Sequence, residues 1–183
     1  GPEQAGFIDS VGIDMYIQLL NEALSEKKGE EKELFSNQAN KILSLDAYIP
    51  SSYINKGEKI DIYKEIDSAM SFEALNELNS KLKDIYGTLP KEVELLFTKR
   101  RIVLYQQEQW LKEVNEYKER IDLICTREFS KIDGMGYILF KELQKYITYL
   151  KVNFIKCEIH ISFYKNGDWV DKYEDVNRIL YNL

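Results

Sequence analysis

Histidine, cysteine, proline and glycine are all scarce in this sequence, with one, two, three and nine residues among 183. So few turn formers exclude a collagen-like or low-complexity chain, and a hydrophobic share of 44% supplies the apolar surface that a packed core requires. No apolar run approaches the ~18 residues of a membrane span. No basic stretch followed by an apolar one opens the chain, so the expected setting is cytoplasmic. Cys125 and Cys157 have no histidine or second cysteine at ligand spacing, which predicts two buried, reduced thiols and no metal site. The single histidine, His160, falls on the opposite face of its predicted strand from Cys157 and cannot form a local pair with it.

Clustered positive charge is missing too. The 25 basic residues are interleaved with 31 acidic ones for a net charge of −6, and phosphate binding draws most of its strength from clustered Lys and Arg. Lys99-Arg100-Arg101 is the one tight basic triplet, and it reads as a solvated helix face. That triplet, with Gln4 and Gly6 near the start of the chain, is all that favours the alternative reading, a nucleic-acid-binding accessory domain.

Catalytic signatures are absent from local sequence. Gly134-Met-Gly136 lacks the third glycine and the Gly-Lys-Ser/Thr ending of a phosphate loop, and no G-x-S-x-G occurs. The carboxylate pairs Glu30-Glu31, Asp61 with Glu65, and Asp171 with Asp175 have lysine neighbours and lie on expected helix exteriors, where ion pairing outweighs acid–base work. The chain is therefore expected to be non-enzymatic, with no catalytic residue and no cofactor. Its 13 tyrosines fit a protein-binding module, each offering large area and a polar tip.

What is present is strongest between Ile60 and Pro90. Ile62, Tyr63, Ile66 and Met70 recur at helical spacing, Ser71 is an N-cap, and Phe72, Leu75, Leu78, Leu82, Ile85 and Tyr86 mark a second helix. Gly87 and Pro90 then act as stop and restart. Upstream, a helix is expected over Asp14 to Lys28, a charged linker around Lys27 to Gln38, and a short strand over Lys41 to Leu45. A turn at Pro50-Ser51 then leads into the helix pair.

Downstream, a third helix is expected from Pro90 to about Gln109, then a hairpin over Lys112 to Phe129 turning at Glu119-Arg120. A fourth helix carries Ile138, Leu139, Leu143, Tyr146, Ile147 and Leu150. Phe154 to Tyr164 reads as one strand with Ile155, Cys157, Ile159, Ile161 and Phe163 inward. Asp168 is placed to cap a terminal helix striped by Trp169, Tyr173, Val176, Leu180 and Leu183. The predicted class is α+β: a helical N-terminal half, then a small, mainly antiparallel sheet with helices on one face.

The helix pair with its Gly-x-x-Pro, together with D-A-Y-I-P at 46–50 and G-F-I-D-S-V-G at 6–12, resembles the C-terminal region of bacterial transcription-repair coupling factor (Mfd). That family is an ATP-driven DNA translocase that displaces stalled RNA polymerase and recruits excision repair. The opening G-P-E-Q-A-G is similar to the G-x-x-Q-x-G segment shared with the RecG helicase, which implies that Gln4 and Gly6 are the remnant of a translocation motif. The resemblance implies residues 1–28 as the tail of the translocase domain, 29–40 as linker and 41–183 as a C-terminal regulatory domain.

By the same resemblance, the partner is the UvrB-like module of the same polypeptide, on which the domain docks to mask UvrA recruitment. RNA polymerase and DNA are reached only through the full-length protein. The family commonly reads E-L-x-D-R-F/Y-G-x-x-P at the end of the second helix. Here Lys81 stands for the Glu and Ile85 for the Arg, while Asp84 is kept, so Lys81, Asp84 and Ile85 are the implied docking residues.

Overall fold

The computed structural model describes residues 43–183. Gln4, Gly6, the expected first helix and the expected linker lie outside the described residues. The chain divides into two compact units between Arg101 and Ile102.

The first unit opens with an irregular stretch. The strand expected up to Leu45 is not formed in its described part, because residues 43–50 run without ladder partners and bury Leu43, Ala47 and Ile49 singly. Ile49 instead donates its N–H to the buried Tyr63 hydroxyl at 2.7 Å. Helix α1 (Lys59–Ser68) buries Ile62, Tyr63 and Ile66, and helix α2 (Phe72–Tyr86) buries Leu75, Leu78 and Leu82. Ser71 caps α2 as expected, its hydroxyl accepting from the Ala74 N–H at 3.1 Å. Met70, by contrast, leaves the apolar stripe and is 73% exposed, because α1 has already ended at Ser68.

Gly87 takes φ +91°, a conformation open to glycine, and stops α2. Pro90 restarts the chain by accepting from the N–H groups of Val93 and Glu94 with its carbonyl. Helix α3 (Lys91–Gln106) follows, and the division between the units falls within it. Val93, Leu96 and Phe97 belong to the first core, Ile102, Leu104 and Tyr105 to the second.

The second unit is a four-stranded antiparallel sheet in the order β1-β2-β4-β3, where β1 is Leu111–Glu116, β2 Arg120–Cys125, β3 Leu150–Ile155 and β4 Glu158–Tyr164. The α+β class and a first hairpin are as expected. The turn falls at Lys118-Glu119, one residue before the expected Glu119-Arg120, because Tyr117 donates its N–H to the Arg120 carbonyl and Arg120 already opens β2. The expected hairpin's end at Arg127–Phe129 is helical. Between the hairpins lie the one-turn helix α4 (Arg127–Ser130), helix α5 (Met135–Glu142) and a 3-10 turn (Gln144–Tyr146); helix α6 (Trp169–Asn182) ends the chain. Ser130 extends the ladder beyond the end of β2 by accepting the buried Ile159 N–H at 2.9 Å. One sheet face, with Ile121, Leu123, Cys125, Ile159, Ile161 and Phe163, is buried, and Phe163 meets Trp169 and Tyr173 of α6 there.

Three expectations are overturned in this unit. Helix α5 stops at Glu142, and Leu150 opens β3, because the aromatic and β-branched run Tyr146-Ile-Thr-Tyr149 feeds a strand that β4 can pair. The single strand expected over Phe154 to Tyr164 is a hairpin, broken at Lys156-Cys157, so Cys157 is exposed and Ile155 is 46% exposed. Asp168 makes no side-chain cap, and Leu183 lies beyond the helix, 41% exposed.

The β3–β4 turn has φ +50° at Lys156 and +67° at Cys157, the pattern of a two-residue type I′ turn that normally selects Asn-Gly. Each L-residue there carries a steric cost of roughly 1 kcal/mol. The double variant Lys156→Asn, Cys157→Gly is therefore expected to stabilise the fold by about 1 kcal/mol, read as a higher urea midpoint at unchanged slope; a lower midpoint would refute the turn assignment.

Candidate docking site

The last turns of α2 bring Lys81, Asp84 and Ile85 together, since positions 81, 84 and 85 fall on one helix face while Leu75, Leu78 and Leu82 face the core. With Asn76, Glu77 and Ser80 they line a shallow depression of about 550 Å³. Ile85, which the periodicity assigns to the buried stripe, is 59% exposed. The helix buries only the narrower stripe.

This turn is braced from behind. Tyr53 donates its hydroxyl to the Gly87 carbonyl at 2.8 Å and to that of Leu82 at 3.4 Å, and its ring lies 5.8 Å from that of Tyr86. The Tyr86 hydroxyl donates to the Glu58 carboxylate. That bond pushes the Tyr86 phenol above its ordinary range, helped by desolvation, and desolvation raises Tyr53, so both remain donors at neutral pH. Nothing local in sequence signals these braces, which join residues 34 and 28 positions apart.

Lys81 reaches Glu65 of α1 at 3.9 Å, with both side chains about half exposed. Such a pair contributes roughly 0.2–1 kcal/mol and leaves the ammonium available to a partner. Asp84 makes no ion pair among the described residues. The depression thus presents one cation, Lys81, two anions, Glu77 and Asp84, and one aliphatic side chain, Ile85, at the end of a braced helix.

The basic triplet is not the solvated face expected of it. Lys99 is 5% exposed, and the Arg100 guanidinium grips the Ala69 carbonyl with Nε at 2.9 Å and Nη2 at 2.8 Å, tying α3 to the residue just past α1. Arg101 donates to the Thr98 hydroxyl at 3.1 Å. Desolvation raises the Asp67 carboxyl to about 6 against the pull of Arg100. The triplet is structural, so it offers phosphate no ready cluster.

Other chemistry is equally local. Burial pushes the Cys125 thiol up to about 12, which leaves it inert at neutral pH. Asp175, expected on a solvated exterior, is only 14% exposed and is claimed by the Tyr146 hydroxyl, by Lys145 at 3.2 Å and by Arg178. Among the described residues no three His, Cys, Asp or Glu side chains group so as to hold a metal, and no helix is long and apolar enough to cross a membrane.

The TRCF domain model matches residues 43–134, half of the chain. This chain belongs to the TRCF domain family. The transcription-repair-coupling factor of Bacillus subtilis (strain 168) is 36% identical over 177 residues, 96% of this chain and 15% of that protein. The factor of Staphylococcus haemolyticus (strain JCSC1435) is 32% identical over 183 residues, 98% of this chain and 16% of that protein. This TRCF domain thus spans about a sixth of the length of its relatives. Its fold is similar to a crystal structure of the C-terminal domain of transcription-repair coupling factor, with a TM-score of 0.57 and 26% identity over 76% of this chain and 86% of that one. The TRCF domain ends its match at Gly134, before the β3–β4 hairpin, but the relatives and the solved structure extend the likeness beyond it.

Proposed function

We propose that this TRCF domain is a non-catalytic regulatory module of a transcription-repair coupling factor, docking through the end of α2 on the UvrB-like module of the same polypeptide and so masking UvrA recruitment. The observation that carries this reading is the exposed Lys81, Asp84 and Ile85 cluster on a turn braced by Tyr53 and Tyr86. A fixed turn lets three modest contacts act together without ordering cost. The parent polypeptide is read as the ATP-driven DNA translocase, of which this domain is a non-catalytic part.

Rim contacts of this kind are weak singly, and a tether raises the local concentration of the partner to the millimolar range, so the clasp can close and still open when the motor rearranges. Titrating this chain with a separately made UvrB-like module is expected to give weak, saturable binding. Asp84→Lys and Ile85→Asp should each weaken it by about tenfold, or ~1.4 kcal/mol, without changing the urea midpoint of the domain. No saturation at about 1 mM would overturn the reading.

A further inference from the structure

Apart from the α2 turn, the second unit carries a groove of about 590 Å³ between α5 and strand β3. Its walls are apolar: Leu139, Phe140, Leu143 and Ile147 on one side, Val152 and Phe154 on the other. Phe140, Ile147 and Phe154 are 59%, 58% and 64% exposed, a concentration of bare apolar surface that a lone domain rarely shows.

Strand β3 is also an edge of the sheet among the described residues. The Tyr164 N–H donates to the Tyr149 carbonyl, and ladder bonding alternates along an antiparallel pair, so Tyr149, Lys151, Asn153 and Ile155 bond inward to β4. The N–H and C=O groups of Val152 and Phe154 therefore point away from the sheet, and their side chains line the groove. Backbone donors and acceptors run beside an apolar trough, which is the geometry for adding one more strand.

Charge selects the occupant. Within a chain of net charge −6, the stretch from Met135 to Cys157 holds four lysines and one glutamate. Lys145 is held by Asp175, while Lys141, Lys151 and Lys156 make no ion pair among the described residues. Pairing β3 with β3 of a second copy would bring two such rims together.

We propose that β3 and the α5 groove form a docking site for an extended segment of a separate protein, with alternating apolar side chains and flanking acidic residues, that binds as a fifth strand. This site is independent of the α2 turn and stands whether or not the UvrB-like module docks there.

The test uses the full chain and two labelled peptides with the same Val-Thr-Val-Thr-Ile centre, one flanked by glutamates and one by lysines, followed by fluorescence anisotropy. The acidic peptide is expected to bind saturably and at least about tenfold more tightly than the basic one. Val152→Pro removes an outward N–H that β4 does not use, and Gly136→Leu fills the trough from a helical position whose Cβ would meet nothing within 4 Å. Each should weaken binding by about tenfold or more, with the far-ultraviolet spectrum of the Gly136→Leu chain unchanged. Failure of the acidic peptide to saturate at about 1 mM would overturn the proposal, as would wild-type affinity in the Gly136→Leu chain. So would self-association of the wild-type chain that Val152→Pro abolishes, because the face would then be an interface between copies.

Discussion

Phe163→Ala is expected to cost about 3–5 kcal/mol, enough to leave the second unit only marginally folded. Phe163 is fully buried in β4, pairing across the sheet with Ile121 on one side and Leu150 on the other. Its ring sits 5.9 Å from Tyr149, 6.4 Å from Trp169 and 5.2 Å from Tyr173, so it joins the sheet to α6. Truncation loses both the transfer energy of the ring and the contacts lining the void, which close packing prevents from collapsing. Phe163→Leu should cost less, because it keeps part of the volume. Urea denaturation followed by tryptophan fluorescence reports both, since Trp169 lies against the site. A loss below about 1 kcal/mol for the alanine variant would contradict the packing described.

Asn177→Leu should destabilise by about 1–3 kcal/mol, through unpaired polar groups and not lost volume. Asn177 and Tyr173 are buried, and the Gln106 amide donates to the Tyr173 hydroxyl at 3.0 Å and to the Asn177 Oδ1 at 2.9 Å. Asn177 Nδ2 donates in turn to the Tyr173 carbonyl at 2.8 Å. Desolvation holds the Tyr173 phenol well above its ordinary range, so it stays protonated. Leucine at 177 strands one N–H of the half-buried Gln106 amide. The double change removes that donor as well, so the lost Gln106–Asn177 bond is counted once, although the buried Tyr173 hydroxyl then loses its Gln106 partner. Gln106→Leu with Asn177→Leu should therefore cost less than the sum of the single changes, with a coupling of about 0.5–3 kcal/mol in a double-mutant cycle. Strict additivity would show that the network carries no shared energy.

Much of this architecture was legible because its signals are local. The stripes of α1 and α2, the Ser71 cap, the Gly87 stop and the alternation in β1 and β2 each follow from residues within one or two turns of each other. The proposed docking residues were not legible in that way: Lys81, Asp84 and Ile85 came from the resemblance to the coupling-factor family, and spacing shows only that they share one face of the helix that forms there. Where reading failed, the deciding partner was remote. Ile155, Cys157 and Ile159 alternate without interruption, so nothing marks the turn at Lys156-Cys157. That turn exists because β3 gains a ladder with β4 that exceeds the strain of two left-handed residues. Lys99-Arg100-Arg101 looks solvated until Ala69, 31 positions away, presents a carbonyl to Arg100.

The amino-acid order alone determined the α+β class, the helix pair, the first hairpin and the absence of a local phosphate or nucleophile motif, because hydrophobic period and capping chemistry act over a few residues. Tertiary structure decided that the α2 turn is braced by Tyr53 and Glu58, that Lys99 is buried, and that β3 is, among the described residues, a sheet edge beside an apolar groove. These depend on which distant groups satisfy one another's hydrogen bonds and exclude water, and that choice is made only when the whole chain folds.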